Sequence, residues 1–188
     1  MKDEVMQRSD QELIEGYLAG DDQDFGLLYN RYKNQLYGYL LKMMPDSRSE
    51  ADDIFQKSWI KVMQKLPGYR SSDRFQAWLF RIAHNLAIDY FRSRKRHADQ
   101  AEVNEAEEAG MAQDREHPAG NIISEEIAMA LDMALDKLPP EQREVFMLRQ
   151  ERIGFKEIAV IQKCSINTVL ARMQYAVKKL RELLTDII

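Results

Sequence analysis

The chain has 188 residues, 45% hydrophobic and 31% charged, enough to build one medium core or two small ones and too apolar for a disordered tail. A net charge of −4 argues against indiscriminate DNA coating, and no apolar run approaches the roughly eighteen residues of a membrane span. One cysteine, Cys164, excludes an internal disulfide framework, and the charged start Met1-Lys2-Asp3-Glu4 carries no signal segment, so a cytoplasmic protein without membrane insertion is expected.

Four helices are expected first. Ser9-Asp10-Gln11-Glu12 fits a capping box ahead of Leu13, Ile14, Tyr17 and Leu18, with Gly20 as the stop. Phe25, Leu28, Tyr29, Tyr32, Leu36, Tyr39 and Leu40 mark a second helix closed by Pro45. Ser49 opens a third through Ala51, Phe55, Trp59, Val62 and Leu66, ended by Pro67-Gly68. From Phe75, the positions Trp78, Leu79, Ile82, Ala83, Leu86 and Tyr90 form an apolar stripe of helical period. Arg74, Arg81, Asn85 and Arg92 form a second stripe well round from it, at roughly 100° per residue. On this spacing Trp78 belongs to the core, Asp89 pairs internally with a neighbouring arginine, and His84 lies on the exposed side.

The segment from Arg70 to Arg96 is basic, and the next one, with Glu102, Glu105, Glu107, Glu108, Asp114 and Glu116, is acidic. Residues 97–123 hold too little apolar surface to offset chain entropy and are expected to be a flexible linker. Periodicity returns in 124–188, with Ile127, Leu131, Leu135 and Leu138, a stop at Pro139-Pro140, a helix over 141–150 and two more helices. The stretch Ile153 to Val169 has the layout of a helix-turn-helix, with Ile158-Ala159 on the first helix, a turn at Lys163-Cys164, Ser165 as cap and Val169 packing inward. Cys164 reads as a small buried residue, since no ligand cluster surrounds it. An ordinary pair of packed helices fits the same spacing. The expected fold is all-α, two small helical domains over 9–96 and 124–188 joined by the linker.

The segment Leu79-Phe80-Arg81-Ile82-Ala83-His84-Asn85-Leu86-Ala87-Ile88-Asp89-Tyr90-Phe91-Arg92 resembles region 2 of extracytoplasmic-function sigma factors. So does Ala51-Asp52-Asp53-Ile54-Phe55-Gln56, while Leu138-Pro139-Pro140-Glu141-Gln142-Arg143 with Glu157-Ile158-Ala159 resembles region 4. The resemblance implies a non-enzymatic, cofactor-free and metal-free subunit that binds core RNA polymerase and directs promoter recognition and transcription initiation, with an anti-sigma factor as a further partner. It assigns Asp52, Asp53, Phe55 and Gln56 to the polymerase clamp, although without it the two aspartates read as favourable charge near a helix N-terminus. It assigns Arg70, Ser71, Arg74, Arg81, His84, Asn85, Arg92, Arg94, Lys95 and Arg96 to the duplex and melted non-template strand of the minus-ten element. Within that set Asn85 can read a base edge, while Arg81, Arg92, Arg94, Lys95 and Arg96 suit phosphates.

Lys156, Asn167, Thr168 and Arg172 are the corresponding candidates for the minus-thirty-five element. Region 4 departs from the family pattern, because Val169-Leu170-Ala171-Arg172 stands where Val-Lys-Ser-Arg is usual and Lys163 replaces the turn glycine. A left-handed lysine there would cost on the order of 1 kcal/mol. A free-standing dimeric repressor, a hydrolase using Asp52, Asp53, His84 and Asp89, and a helical adaptor are the rival readings. The hydrolase lacks a ligand spacing on one helix face, and nothing in the pattern resembles a dimer zipper.

Overall fold

The computed structural model describes residues 8–70, 74–101 and 122–185, and the chain divides into two compact units, 1–108 and 109–188. Every regular element among the described residues is helical.

The first unit contains α1 (Asp10–Leu18), α2 (Asp22–Met43), α3 (Arg48–Lys65), a 3-10 turn at Leu66–Gly68 and α4 (Phe75–Ala101). The expected capping box closes α1: the Ser9 hydroxyl accepts from the Glu12 amide, and the Glu12 carboxylate accepts from the Ser9 amide at 2.6 Å. The Ser9 hydroxyl also donates to the Glu12 carboxylate at 2.7 Å, and this bond, with that from the Ser9 amide, holds the Glu12 carboxyl below its usual range. Gly20 adopts φ +106°, and the Asp21 amide reaches back to the Gly16 carbonyl at 3.0 Å, which is the hydrogen-bond pattern of a left-handed helix stop.

Helix α1 packs on α2 closely enough that a Cβ on Gly16 would fall 1.7 Å from a carboxylate oxygen of Asp24. Asp24 is buried and ion-paired with Arg8. Asp10 binds both Arg31 and the Tyr32 hydroxyl on α2. Burial and that bonded carboxylate push the Tyr32 phenol well up. Helix α3 begins one residue before Ser49. The Ser47 and Ser49 hydroxyls both donate to Glu50, which lowers its carboxyl to about 2.

The core of this unit lies where α4 meets α2 and α3. Leu28, Leu36, Leu40, Val62, Leu79, Phe80, Ala83 and Ala87 are fully buried. Aromatic rings line the α2 side: Tyr29 stands 4.9 Å from Trp59, and Tyr39 stands 5.1 Å from Phe80. Three side-chain expectations for α4 are corrected here. His84 is buried, at 7% exposure, because it sits only about 40° round from Phe80 at 100° per residue, and the buried arc spans both. Trp78 is half-buried at the edge of that arc, its ring tilted against those of Tyr69 at 4.9 Å and Phe75 at 5.8 Å. Asp89 is exposed instead of internally paired against the core. Helix α4 also runs to Ala101, five residues into the stretch read as linker, because helix can continue without an apolar stripe to bury.

The second unit contains α5 (Ile122–Asp136), α6 (Pro140–Gln150), α7 (Phe155–Ile161) and α8 (Ile166–Thr185). Helix α8 packs against the other three. Ala134, Leu135 and Leu138 meet Ala176 and Leu180, while Val145, Leu148, Ile158, Ile161 and Val169 are buried near the turn. Ile127, expected on the core stripe, is exposed.

In both turns bounding α7 the left-handed residue is not a glycine, with Arg152 at φ 61° and Lys163 at φ 53°. Each carries the same closing bond, Ile153 amide to Leu148 carbonyl at 3.1 Å and Cys164 amide to Ala159 carbonyl at 3.0 Å. A side chain in that region costs about 1 kcal/mol. Lys163→Gly should therefore stabilise the second unit by about 1 kcal/mol, raising its melting temperature by about 4–8 °C in calorimetry. An unchanged or lower midpoint would show that the lysine side chain compensates for its backbone.

Candidate functional site

Two separate surfaces of the first unit carry the residues singled out by sequence. On α3, Asp52, Asp53 and Gln56 lie on the side of the helix opposite Ala51, Ile54 and Ser58, which are buried. The Tyr37 hydroxyl donates to Asp52 at 2.6 Å, and Asp53 pairs with Lys57 at 3.0 Å. Bonding to that carboxylate raises the Tyr37 phenol above its usual value. Phe55 is half-buried, its ring 5.4 Å from Tyr37 and 6.3 Å from Tyr29. Asp52 and Asp53 fall in the second turn of α3, beyond the reach of its N-terminal dipole, so capping does not explain them.

The same outer face exposes Ile60 (50%) and Met63 (39%), which sequence reasoning missed. They follow Asp53 and Gln56 at helical spacing, and that spacing outside the core stripe was the available signal. The resulting surface mixes acidic, amide and apolar groups, a composition suited to a protein partner more than to nucleic acid.

Arg74, immediately before α4, and Arg81, Asn85 and Arg92 on it fall within an arc of about 40° at 100° per residue, opposite the buried arc. Arg74 and Arg92 are exposed, and Arg81 and Asn85 are half-exposed. Arg94, Lys95 and Arg96 continue the positive charge on an exposed stretch of the helix, and Arg70 is exposed on the connection leading to α4. Ser71 lies outside the described residues. His84 is set apart from the strip by burial. Among the described residues no group of three or more His, Cys, Asp or Glu is placed to hold a metal.

In the second unit, α7 and α8 form the helix-turn-helix. Ser165 caps α8, accepting from the Thr168 amide at 3.1 Å, and its hydroxyl lies 2.8 Å from that of Thr168. Asn167, Thr168 and Leu170 are exposed along the start of α8, and Lys156 is exposed at the start of α7. Arg172 is half-buried, with its Nη1 donating to Gln162 Oε1 at 2.7 Å. Cys164, expected to be buried, is half-buried with its Sγ 3.5 Å from the same nitrogen.

Comparison with known proteins fits this pair of units. Residues 28–97 match the model of Sigma-70 region 2, and residues 128–180 match that of Sigma-70, region 4. The RNA polymerase sigma-H factor of Pseudomonas aeruginosa is 30% identical over 177 residues, spanning 90% of each chain. The chain belongs to the extracytoplasmic-function sigma factors of the sigma-70 family. The ECF RNA polymerase sigma-E factor of Salmonella typhimurium is likewise 30% identical, over 89% of this chain and 90% of its own.

Two solved structures share the fold. One is the sigma factor RpoE in complex with the anti-sigma factor NepR from Bartonella quintana, with TM-score 0.70, 22% identity and coverage of 87% of this chain and 98% of that one. The other is CnrH in complex with the cytosolic domain of CnrY, with TM-score 0.64, 23% identity and coverage of 95% and 99%. This sigma factor binds core RNA polymerase and directs promoter recognition and DNA-templated transcription initiation. The region 2 match contains both the α3 face and the α4 strip, and the region 4 match contains the helix-turn-helix. No helix among the described residues is long and apolar enough to cross a membrane.

Proposed function

We propose a division of labour among the surfaces of this sigma factor. The α3 face docks on the clamp helices of the polymerase's largest subunit, Asp52 and Asp53 pairing with basic groups, Gln56 fixing register and Phe55 lending apolar area. Ile60 and Met63 extend that contact. The α4 strip takes the minus-ten element. Asn85 reads a base edge, while Arg81, Arg92, Arg94, Lys95 and Arg96 hold phosphates, and Arg70, Ser71 and Arg74 line the place of an extruded base. Lys156, Asn167, Thr168 and Arg172 meet the minus-thirty-five element, with Leu170 and Ala171 against thymine methyl groups.

The segment between α4 and α5 is the tether that lets two weak readers act as one through effective concentration. No bond is made or broken by this subunit, and it needs neither metal nor cofactor; strand separation draws on the free energy of capturing the unpaired strand. It works in the cytoplasm with the polymerase. An anti-sigma factor restrains it, a reading supported by the two structures of like fold, one a complex with the anti-sigma factor NepR and the other a complex with the cytosolic domain of CnrY.

The observation that carries this reading is the α4 strip, a polar and cationic line opposite a fully buried face. Reconstitution tests it. Core polymerase with the purified chain should yield transcripts from a restricted set of start sites, and an Asp52→Lys, Asp53→Lys variant should lose the complex with core. Transcripts unchanged from core alone would reject the reading of the whole chain. Undiminished binding by the double variant would reject the α3 face.

A further inference from the structure

The side chain of Gln162 lies where three helices of the second unit converge. Its Nε2 donates to the Glu144 carboxylate at 2.8 Å and to the Glu141 carbonyl at 3.0 Å, both on α6. Its Oε1 accepts from Arg172 on α8 at 2.7 Å. Gln162 itself is the C-terminal cap of α7, immediately before left-handed Lys163.

The orientation of that amide is determined by its neighbours. Rotating it by half a turn would set its oxygen against a carboxylate and a carbonyl, and its NH2 against a guanidinium, turning three attractions into three repulsions. Glu144 is 4% exposed, so the anchor is a buried group with little freedom to move. The guanidinium of Arg172 is thereby held at one edge, through Nη1, while the bonds at that edge do not use Nη2 or Nε. A planar fork fixed along one edge presents its other edge in one direction.

We propose that Gln162 is a positioning residue for promoter reading: anchored by Glu144 and Glu141, it pre-orients Arg172 of α8 toward the minus-thirty-five duplex. This rests on the DNA contact assigned to α8 above. An arginine that must be ordered only on binding loses affinity through side-chain entropy, and one already ordered in the unbound protein avoids that loss. Chain order makes the arrangement specific to the turn, because the residue that ends α7 sets the aim of a residue nearly two turns into α8.

The test is a double-mutant cycle in reconstituted holoenzyme, with a duplex minus-thirty-five sequence enriched from a random library by the unmodified holoenzyme and a scrambled duplex as reference. Gln162→Leu keeps the volume and removes the relay. It should lower the preference for the enriched duplex about 2- to 10-fold. In an Arg172→Ala background the same change should have no further effect, which a merely structural role would not reproduce. An undiminished preference overturns the proposal, as does a loss of the same size in both backgrounds. Gln162→Ala is read in the same cycle. If both variants abolish the thermal transition of the second unit, the residue belongs to the fold and the proposal falls. Failure of the unmodified holoenzyme to enrich any sequence is a different result: it removes the DNA contact of α8 itself, and the proposal with it.

Discussion

An Asn85→Ala variant is expected to bind core polymerase as the parent does and to open its preferred promoter about 5- to 150-fold less well, the range that follows from losing a bidentate base contact of about 1–3 kcal/mol. Asn85 sits on α4 within about 40° of both Arg81 and Arg92, half-exposed, with the buried arc behind it. Its side chain is the uncharged member of the strip, and an amide supplies both a donor and an acceptor in one plane, as a base edge requires. The neighbouring arginines suit a uniformly charged backbone. Arg92→Ala should therefore weaken binding to every promoter alike and reduce the salt dependence of binding by about one counterion. Permanganate reactivity of unpaired thymines, measured on the preferred promoter and on one altered at the minus-ten element, separates the two. If Asn85→Ala weakens both promoters equally, the amide is not a base reader.

Phe80→Ala should be the most damaging single change in the first unit. The ring is 0% exposed and packs 5.1 Å from Tyr39, joining α4 to α2. Removing a buried aromatic typically costs about 3–5 kcal/mol, a large share of the roughly 5–15 kcal/mol that holds a domain folded. At about 4–8 °C per kcal/mol, the transition of the first unit should fall by about 12–40 °C. Phe80 belongs to the core of residues before 108, whereas the core of the second unit is built from residues after 130. Calorimetry should therefore show one transition displaced and the other in place. Equal displacement of both would mean that the two units do not unfold separately.

Much of this architecture was legible in the sequence because it is written in short-range chemistry. Ser9 with Glu12, Gly20 and Ser165 each act on amides a few residues away, so a local pattern suffices to place them. The polar strip of α4 was equally legible, since helical periodicity alone determines which residues share a line. What escaped depends on partners distant in the chain. The width of the buried arc on α4 is set by having both α2 and α3 as neighbours, and this moved His84 inward. Trp78 was assigned to the core on its place in the stripe, but the buried arc is centred on the side of Ala83 and Ala87, well round from Trp78, and the indole packs at the rim. Ile60 and Met63 on α3 break the expectation that large apolar side chains point inward. The relay through Gln162 joins residues 18 and 10 positions apart, a separation at which sequence pattern says nothing. Arg152 was missed for a different reason: without a glycine, nothing in composition flags a left-handed turn.

Helix α4 carries its anchoring side chains and its polar, cationic strip on one continuous rod, so its length is constrained more tightly than its composition. Exchanging one residue for another disturbs a single position. Adding one residue between Arg81 and Asn85 would turn everything downstream by about 100°, carrying the Asn85 amide round to the direction of Leu79 and the Arg92 guanidinium to that of Phe75, both of which point into the packed interior. The two roles of the helix share one screw axis, and an insertion or deletion in that stretch would cost both together.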